Sequence, residues 1–247
     1  MLKVAMVTPQ GTVWDLTGAA ETSPVLAPEG QLAGLTGNAS RTDLSIPGRA
    51  GVLPGDTRYG AIEADVQFFL RTFTGEEMER VHAAFRKAWS VYSRVRPTPP
   101  VVLKINSDSP HSPLAMRLWL SKPLPGVDVD SRKRTSLDIT VPVFIPSGVA
   151  IGVEQTGKGA VEVENTGDVT IYPDIAYTGR GGQVTCPSGA VFVLPAVGVE
   201  TVVSMDPLDL RLEGAFPEGV EPGDTGRWVL PEGAELRWAV GVVDPWT

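Results

Sequence analysis

Glycine and proline are scattered along the whole chain, 27 and 22 of its 247 residues, and the apolar residues between them fall in short runs. Proline removes a backbone donor and clashes in a helix interior, and glycine costs about 1 kcal/mol there relative to alanine. A sequence punctuated in this way throughout suits short strands joined by many turns. One segment escapes the punctuation. Thr74-Gly75-Glu76-Glu77 has the form of a capping box. Met78, Val81, Phe85, Trp89 and Tyr92 then recur at three- and four-residue spacing, which is the stripe of an amphipathic helix. Acids in the first turn, Arg86, Lys87 and Arg94 late, and Pro97, Pro99 and Pro100 beyond predict a helix over 75–93. A lone helix among strands must lay its stripe on a sheet.

Before the helix, alternation predicts strands over 2–7 and 12–16. From 61 onward Ile62, Ala64, Val66, Phe68 and Leu70 alternate with polar residues, as on a half-buried strand. Between these lies a Gly/Pro-rich stretch, 21–60, too long for an idle loop in a compact domain. It reads as an arm, with short strands expected at 32–35 and 43–46. Strands are expected again at 101–106, 114–121 and 136–144. After residue 150 the texture changes. Strand candidates at 160–164, 169–178, 183–186, 190–194, 200–205, 208–212, 227–230 and 235–241 follow one another with turn residues between them, which is the signature of a β-sandwich.

Charge changes at the same place. Residues 1–150 carry 16 Lys and Arg against 14 Asp and Glu, whereas residues 151–247 carry 5 against 15. The fold class expected is therefore mainly β: an N-terminal β-sandwich or barrel domain, 1–150, with one amphipathic helix, and a C-terminal β-sandwich, 151–247.

Several functions are disfavoured by composition. A formal charge of −8 does not suit a general nucleic-acid binder. A single cysteine, Cys186, forms no intrachain disulfide and fits assembly in a reducing cytoplasm. No apolar run is long enough for a membrane helix, and the opening residues read as a strand and a turn instead of a signal peptide. No catalytic, cofactor-binding or metal-ligating residue is assigned, and the chain is read as not an enzyme. His82 and His111, its two histidines, lack partners at triad or ligand spacing. Asp128-Val129-Asp130 lacks the glycine and distant glutamate of a calcium loop. Arg132-Lys133-Arg134 reads as a solvated turn before it reads as a phosphate contact. Gly179-Arg180-Gly181-Gly182 reads as a hairpin turn. Trp228, Trp238 and Trp246 raise glycan stacking, but Trp238 shares strand parity with Leu236 and Val240, so it belongs to the core.

The second half carries a pattern with a likeness elsewhere. Asn165-Thr166-Gly167-Asp168 runs into Ile171-Tyr172-Pro173-Asp174-Ile175 and on to Gly179, and Leu230-Pro231-Glu232-Gly233 leads into a closing strand around Leu236-Arg237-Trp238. This resembles the C-terminal domain of siphophage distal tail proteins, and the first half is similar to theirs in organisation. The resemblance implies a galectin-like C-terminal sandwich and a homohexameric ring of N-terminal domains. That ring would join the tail tube protein to tail-tip hub, baseplate and receptor-binding proteins in the virion, with DNA passing through its lumen. Another tail tube or baseplate subunit is the alternative within structural proteins, and a glycan-binding adhesin module is the alternative outside them.

Overall fold

A computed structural model describes residues 2–18, 23–48, 50–89, 99–126 and 128–246. The chain divides into two compact units, Met1–Ala150 with Val243–Thr247, and Ile151–Val242. Both are built of strands, and the described residues contain a single α-helix.

In the first unit the order is β1 (Lys3–Val7), β2 (Val13–Asp15), β3 (Val25–Leu26), β4 (Asn38–Arg41), β5 (Leu44–Ser45), β6 (Val52–Leu53), β7 (Thr57–Gly60) and β8 (Ile62–Arg71). Then come α1 (Gly75–Ala88), β9 (Val101–Asn106), β10 (Leu114–Leu120), a 3-10 turn at Ser131–Lys133 and β11 (Ser136–Ile145). The main sheet runs β2-β1-β9-β10-β11-β8-β3. Its two ends meet where the Ala27 N–H donates to the Leu16 carbonyl at 3.1 Å, so the sheet closes nearly into a barrel. Register explains why its inner side is apolar. Met6, Leu103 and Met116 lie opposite one another across three strands, as do Val4, Ile105 and Leu114. Val66 pairs with Val141 and Phe68 with Ile139, and all ten of these residues are buried.

The helix is capped as its sequence requires. The Thr74 hydroxyl accepts from the Glu77 N–H at 3.2 Å, and the Glu77 carboxylate accepts from the Phe73 N–H at 3.1 Å. Phe85 is fully buried, with its ring centroid 5.3 Å from Phe68, 6.0 Å from Trp14 and 6.3 Å from Trp89. The regular helix is described to Ala88, with Trp89 as its C-cap. The expected extension through Tyr92 to 93 lies outside the described residues. Gly75 needs its missing side chain, because a Cβ there would stand 1.8 Å from the Arg132 carbonyl oxygen.

The arm differs from expectation. Residues 32–35 form a turn instead of a strand, with Leu35 N–H donating to the Leu32 carbonyl and both leucines buried. Leucines three apart share a side of a turn, and alternation over four residues cannot tell that from a strand. The extended pairing comes later: β4 pairs with β7 and β5 with β6, making one nested ribbon over 38–60.

At β12 (Ala150–Ile151) the chain passes into the second unit. There follow β13 (Gln155–Lys158), β14 (Ala160–Glu164), β15 (Asp174–Gly179), β16 (Gly182–Thr185), β17 (Val191–Leu194), β18 (Val197–Ser204), β19 (Thr225–Val229), β20 (Ala234–Trp238) and β21 (Gly241–Val242). Two four-stranded sheets result, β13-β20-β15-β18 and β14-β19-β16-β17. Ile175, Tyr177 and Leu236 from the first, and Val163, Val184, Phe192 and Trp228 from the second, build their common core.

Three expectations are corrected here. The segment 208–212 is not a strand: a turn over 207–209 leads into irregular chain, with the Asp206 carboxylate accepting from the Leu208 N–H at 2.8 Å and the Asp206 carbonyl from Asp209 and Leu210. The expected strand 169–178 begins only at Asp174, after Pro173, with Ile171 making an isolated bridge to Val220. Gly179-Arg180-Gly181-Gly182 is a turn with positive φ at all three glycines, but it does not close a hairpin. It carries the chain from β15 in one sheet to β16 in the other, and a Cβ on Gly181 would lie 2.1 Å from the Leu194 carbonyl oxygen.

Candidate assembly surfaces

The residues with the least to bury are those of the arm. Every residue of β4, β5 and β6 is exposed, and β7 is exposed except for a half-buried Tyr59. Leu44, Val52 and Leu53 leave 62%, 54% and 49% of their surface uncovered. An isolated two-stranded ribbon is marginal in water, so this one is held by local polar contacts. Asp43 accepts from the Gly55 N–H at 3.0 Å and pairs with Arg41 at 3.3 Å. At its base the Gly37 N–H donates to the Val243 carbonyl at 2.8 Å. A Cβ on Gly148 (φ +67) would lie 2.3 Å from the Gly60 carbonyl oxygen, and one on Gly37 2.7 Å from a Val243 methyl. The root of the ribbon is tight, and its shaft is bare.

The residues singled out for chemistry are dispersed. His82 sits half-buried on α1, its Nε2 without a hydrogen-bond partner. Burial first, then the Arg86 charge, lowers its pKa. His111 lies in a different loop, half-buried. Asp130 caps the 3-10 turn, accepting from the Arg132 N–H at 3.1 Å, and Arg132 pairs with Glu79 at 2.7 Å. The basic triplet thus gives one of its members to latching a loop onto α1, where Arg86 also donates to the Pro125 carbonyl at 2.9 Å. Cys186 is buried, and its thiol is pushed up to about 12 by burial first and then by Glu218. Among the described residues no three or more His, Cys, Asp or Glu side chains are gathered as metal ligands, and no helix is long and apolar enough to cross a membrane.

The tryptophans are committed to packing. Trp228 is fully buried and Trp238 is 9% exposed, with Leu236 and Val240 buried beside it as strand parity requires. Trp246 is half-buried. Over the sheet containing β20, the surface is covered by an ion-pair chain: Lys158 to Glu235 at 3.4 Å, Glu235 to Arg237 at 3.1 Å and Arg237 to Glu200 at 3.2 Å. The Arg237 hydrogen bond, ahead of Lys158, holds the Glu235 carboxyl below its ordinary range.

Sequence reasoning missed the role of Asn165. It was legible only as a turn residue of the Asn-Thr-Gly motif. In the fold it is completely buried, donates to the Val169 carbonyl at 2.9 Å and the Val220 carbonyl at 2.7 Å, and accepts from the Gly167 N–H at 3.0 Å. Gly167 in turn lies so close to Gly241 that a Cβ would meet its carbonyl oxygen at 2.6 Å. The motif stitches distant segments of the second unit together.

No family model and no curated protein matches the sequence. Solved structures do match in fold. The Dit protein of phage SPP1, described as a paradigm of the hub adsorption apparatus in phages infecting Gram-positive bacteria, is 15% identical. It aligns over 96% of this chain and 98% of its own, with a TM-score of 0.54. A chain of the phage P2 baseplate in its activated conformation is 10% identical, over 97% of this chain and 98% of its own. Its TM-score is 0.58 with calcium and 0.59 in a second structure with strontium.

Proposed function

We propose that this chain is a non-enzymatic structural subunit of a phage tail tip, of the distal tail type, and that six copies close into a ring between the tail tube and the tip or baseplate proteins. The observation that carries this reading is the shared fold with hub and baseplate chains over nearly the full length of both partners. Such coverage takes in both units, whereas a generic sandwich would match one.

The arm supports the ring. The main sheet of the first unit nearly closes on itself and leaves little edge, but the ribbon over 38–60 has a free edge on each side, β4–β5 on one and β6–β7 on the other. Two different edges pairing between neighbours make a head-to-tail contact, which generates a closed ring when its rotation divides the circle. The second units belong outside, because packing six strongly acidic bodies about a tight axis is opposed by their mutual repulsion. There they would hold other tip proteins, and the lumen would let DNA pass without binding it. The buried Trp228 and Trp238 offer no stacking face for a sugar, which counts against the adhesin reading.

The test is symmetry averaging of the purified protein by electron microscopy, with mass in solution by light scattering. Six-fold rings are expected. A variant in which residues 40–58 are replaced by a two-glycine turn joining the paired Ala39 and Tyr59 should fold and remain monomeric. A native protein that stays monomeric at every concentration and salt would overturn the ring, and rings formed equally well without the arm would overturn its role.

A further inference from the structure

The second unit has four sheet edges, and three are guarded. β14 carries Glu162 and Glu164 on its exposed positions, β13 carries Lys158, and β18 carries Glu200 opposite a register shift at Tyr177/Gly179. Charge and irregularity on an edge discourage another strand from adding to it. The fourth edge, β17, has neither. It reads Val191-Phe192-Val193-Leu194, and no charged residue occurs anywhere between Arg180 and Glu200 in an otherwise acidic unit.

The register shows which backbone groups that edge presents. Cys186 N–H donates to the Ala190 carbonyl at 2.9 Å, and the pairs continue as Thr185 with Val191, Val184 with Phe192, Gln183 with Val193 and Gly182 with Leu194. Hydrogen-bonded and non-hydrogen-bonded pairs alternate in an antiparallel ladder. Phe192 and Leu194 therefore turn their N–H and C=O groups to β16, and Val191 and Val193 turn theirs to the open side. Those same two valines leave 50% and 65% of their surface exposed. Next to Val191 in register stand Thr185 and then Val229, itself 41% exposed, so the row across the sheet carries no charge. Among the described residues no strand pairs with the outer side of β17.

We propose that β17 is a strand-addition site for an extended segment of a different protein, apolar where it meets Val191 and Val193 and basic at its flanks. Charge decides between a foreign segment and a second copy. Residues 151–242 carry 5 Lys and Arg against 14 Asp and Glu, so joining two such units edge to edge opposes like charges, while a basic segment is drawn in. Glu218 stands at the turn that opens the strand, its carboxylate accepting from the Ser188 N–H at 3.3 Å. The inference names the surface by which the second unit would hold another tip protein, and for the partner's source it rests on that reading.

The probe is a fluorescent peptide alternating threonine and valine, flanked by two lysines at each end, titrated into the full-length protein. A twin peptide has glutamates in place of the lysines. The Val193 side chain is exposed and its N–H faces outward, so Val193→Lys and Val193→Pro should leave the fold intact, as checked by circular dichroism. The lysine-flanked peptide is expected to bind, more weakly in salt, and to slow amide exchange at Val191 and Val193. Val193→Pro should weaken it by about tenfold, the loss of one or two net hydrogen bonds, and Val193→Lys by a similar factor, because it sets a positive charge against the lysine-flanked peptide in place of an apolar contact. Undiminished binding by the variants, equal binding of the acidic twin, or unprotected Val191 and Val193 amides overturns the site. Protection of those amides by rising protein concentration alone overturns the foreign occupant in favour of a second copy. Symmetry is read on the same sample, so rings without peptide binding sink only the edge assignment, and peptide binding by a monomer sinks only the ring.

Discussion

Asn165 shows how much one buried polar residue can hold. Its amide supplies both donors to backbone carbonyls, the half-buried Val169 nearby and the buried Val220 55 positions away. Asn165→Ala should cost about 1–3 kcal/mol, the loss of its bonds to the Val169 and Val220 carbonyls and to the Gly167 N–H, measured by chemical denaturation. A loss under about 0.5 kcal/mol would mean that the segments hold together without it. Nothing local to Asn-Thr-Gly discloses the distant carbonyl, so the sequence could offer only a turn. Cys186 was legible as a packed thiol, because it is a lone cysteine with no base nearby in sequence. Its raised pKa has a definite sign. The unfolded thiol ionises near its ordinary value of about 8.5 while the folded one stays protonated up to about 12. Stability from this group is therefore complete below the first value and declines as pH climbs between the two. Native protein at pH 8 should react with a disulfide reagent far more slowly than unfolded protein, and fast native labelling would contradict the burial. His82 works in the opposite direction. With its folded pKa lowered, its contribution is present above about pH 6.5 and is lost on acidification, so His82→Gln should flatten the stability profile of the first unit between pH 7 and 5.

Elements with a strong period were the readable ones. The α1 stripe, the alternation in β8 and the runs 101–106 and 160–164 each announce both state and face, because burial on one side forces a repeat of 3.6 or 2. Phe85→Ala should accordingly cost about 3–5 kcal/mol in denaturant unfolding, since the ring meets Trp14, Phe68 and Trp89 at once; a cost below about 1 kcal/mol would make the helix peripheral. The ribbon of the arm was legible as an unusual stretch but not as strands. Asn38–Arg41 and Thr57–Gly60 bury almost nothing, and a segment without a buried side carries no alternation to read. The two-residue strands, among them Val25–Leu26 and Val52–Leu53, are too short to show a period at all. Edge exposure at β17 has the same character: the valines are visible in the sequence, but which side of them lacks a neighbour is a property of the sheet order.

For the whole molecule, the change of charge near residue 150 and the change of texture coincide, and the first unit's main body also ends at Ala150. What the sequence did not disclose is the return of residues 243–247 to that first unit, where the Val243 carbonyl takes the Gly37 N–H and its methyl packs against Gly37. Five residues after a final short strand have no pattern to show which body they join. A fragment ending at 150 should therefore be less stable than one in which residues 1–150 are spliced through a short glycine-serine turn to 243–247. The comparison is of their thermal midpoints, and equal midpoints would show the tail to be dispensable. The splice is possible because the second unit begins and ends on neighbouring strands, with the Gly152 N–H donating to the Val240 carbonyl at 2.9 Å. A stretch of gene whose product starts and finishes at nearly one point can be cut out or exchanged by recombination without moving the flanking codons' products apart.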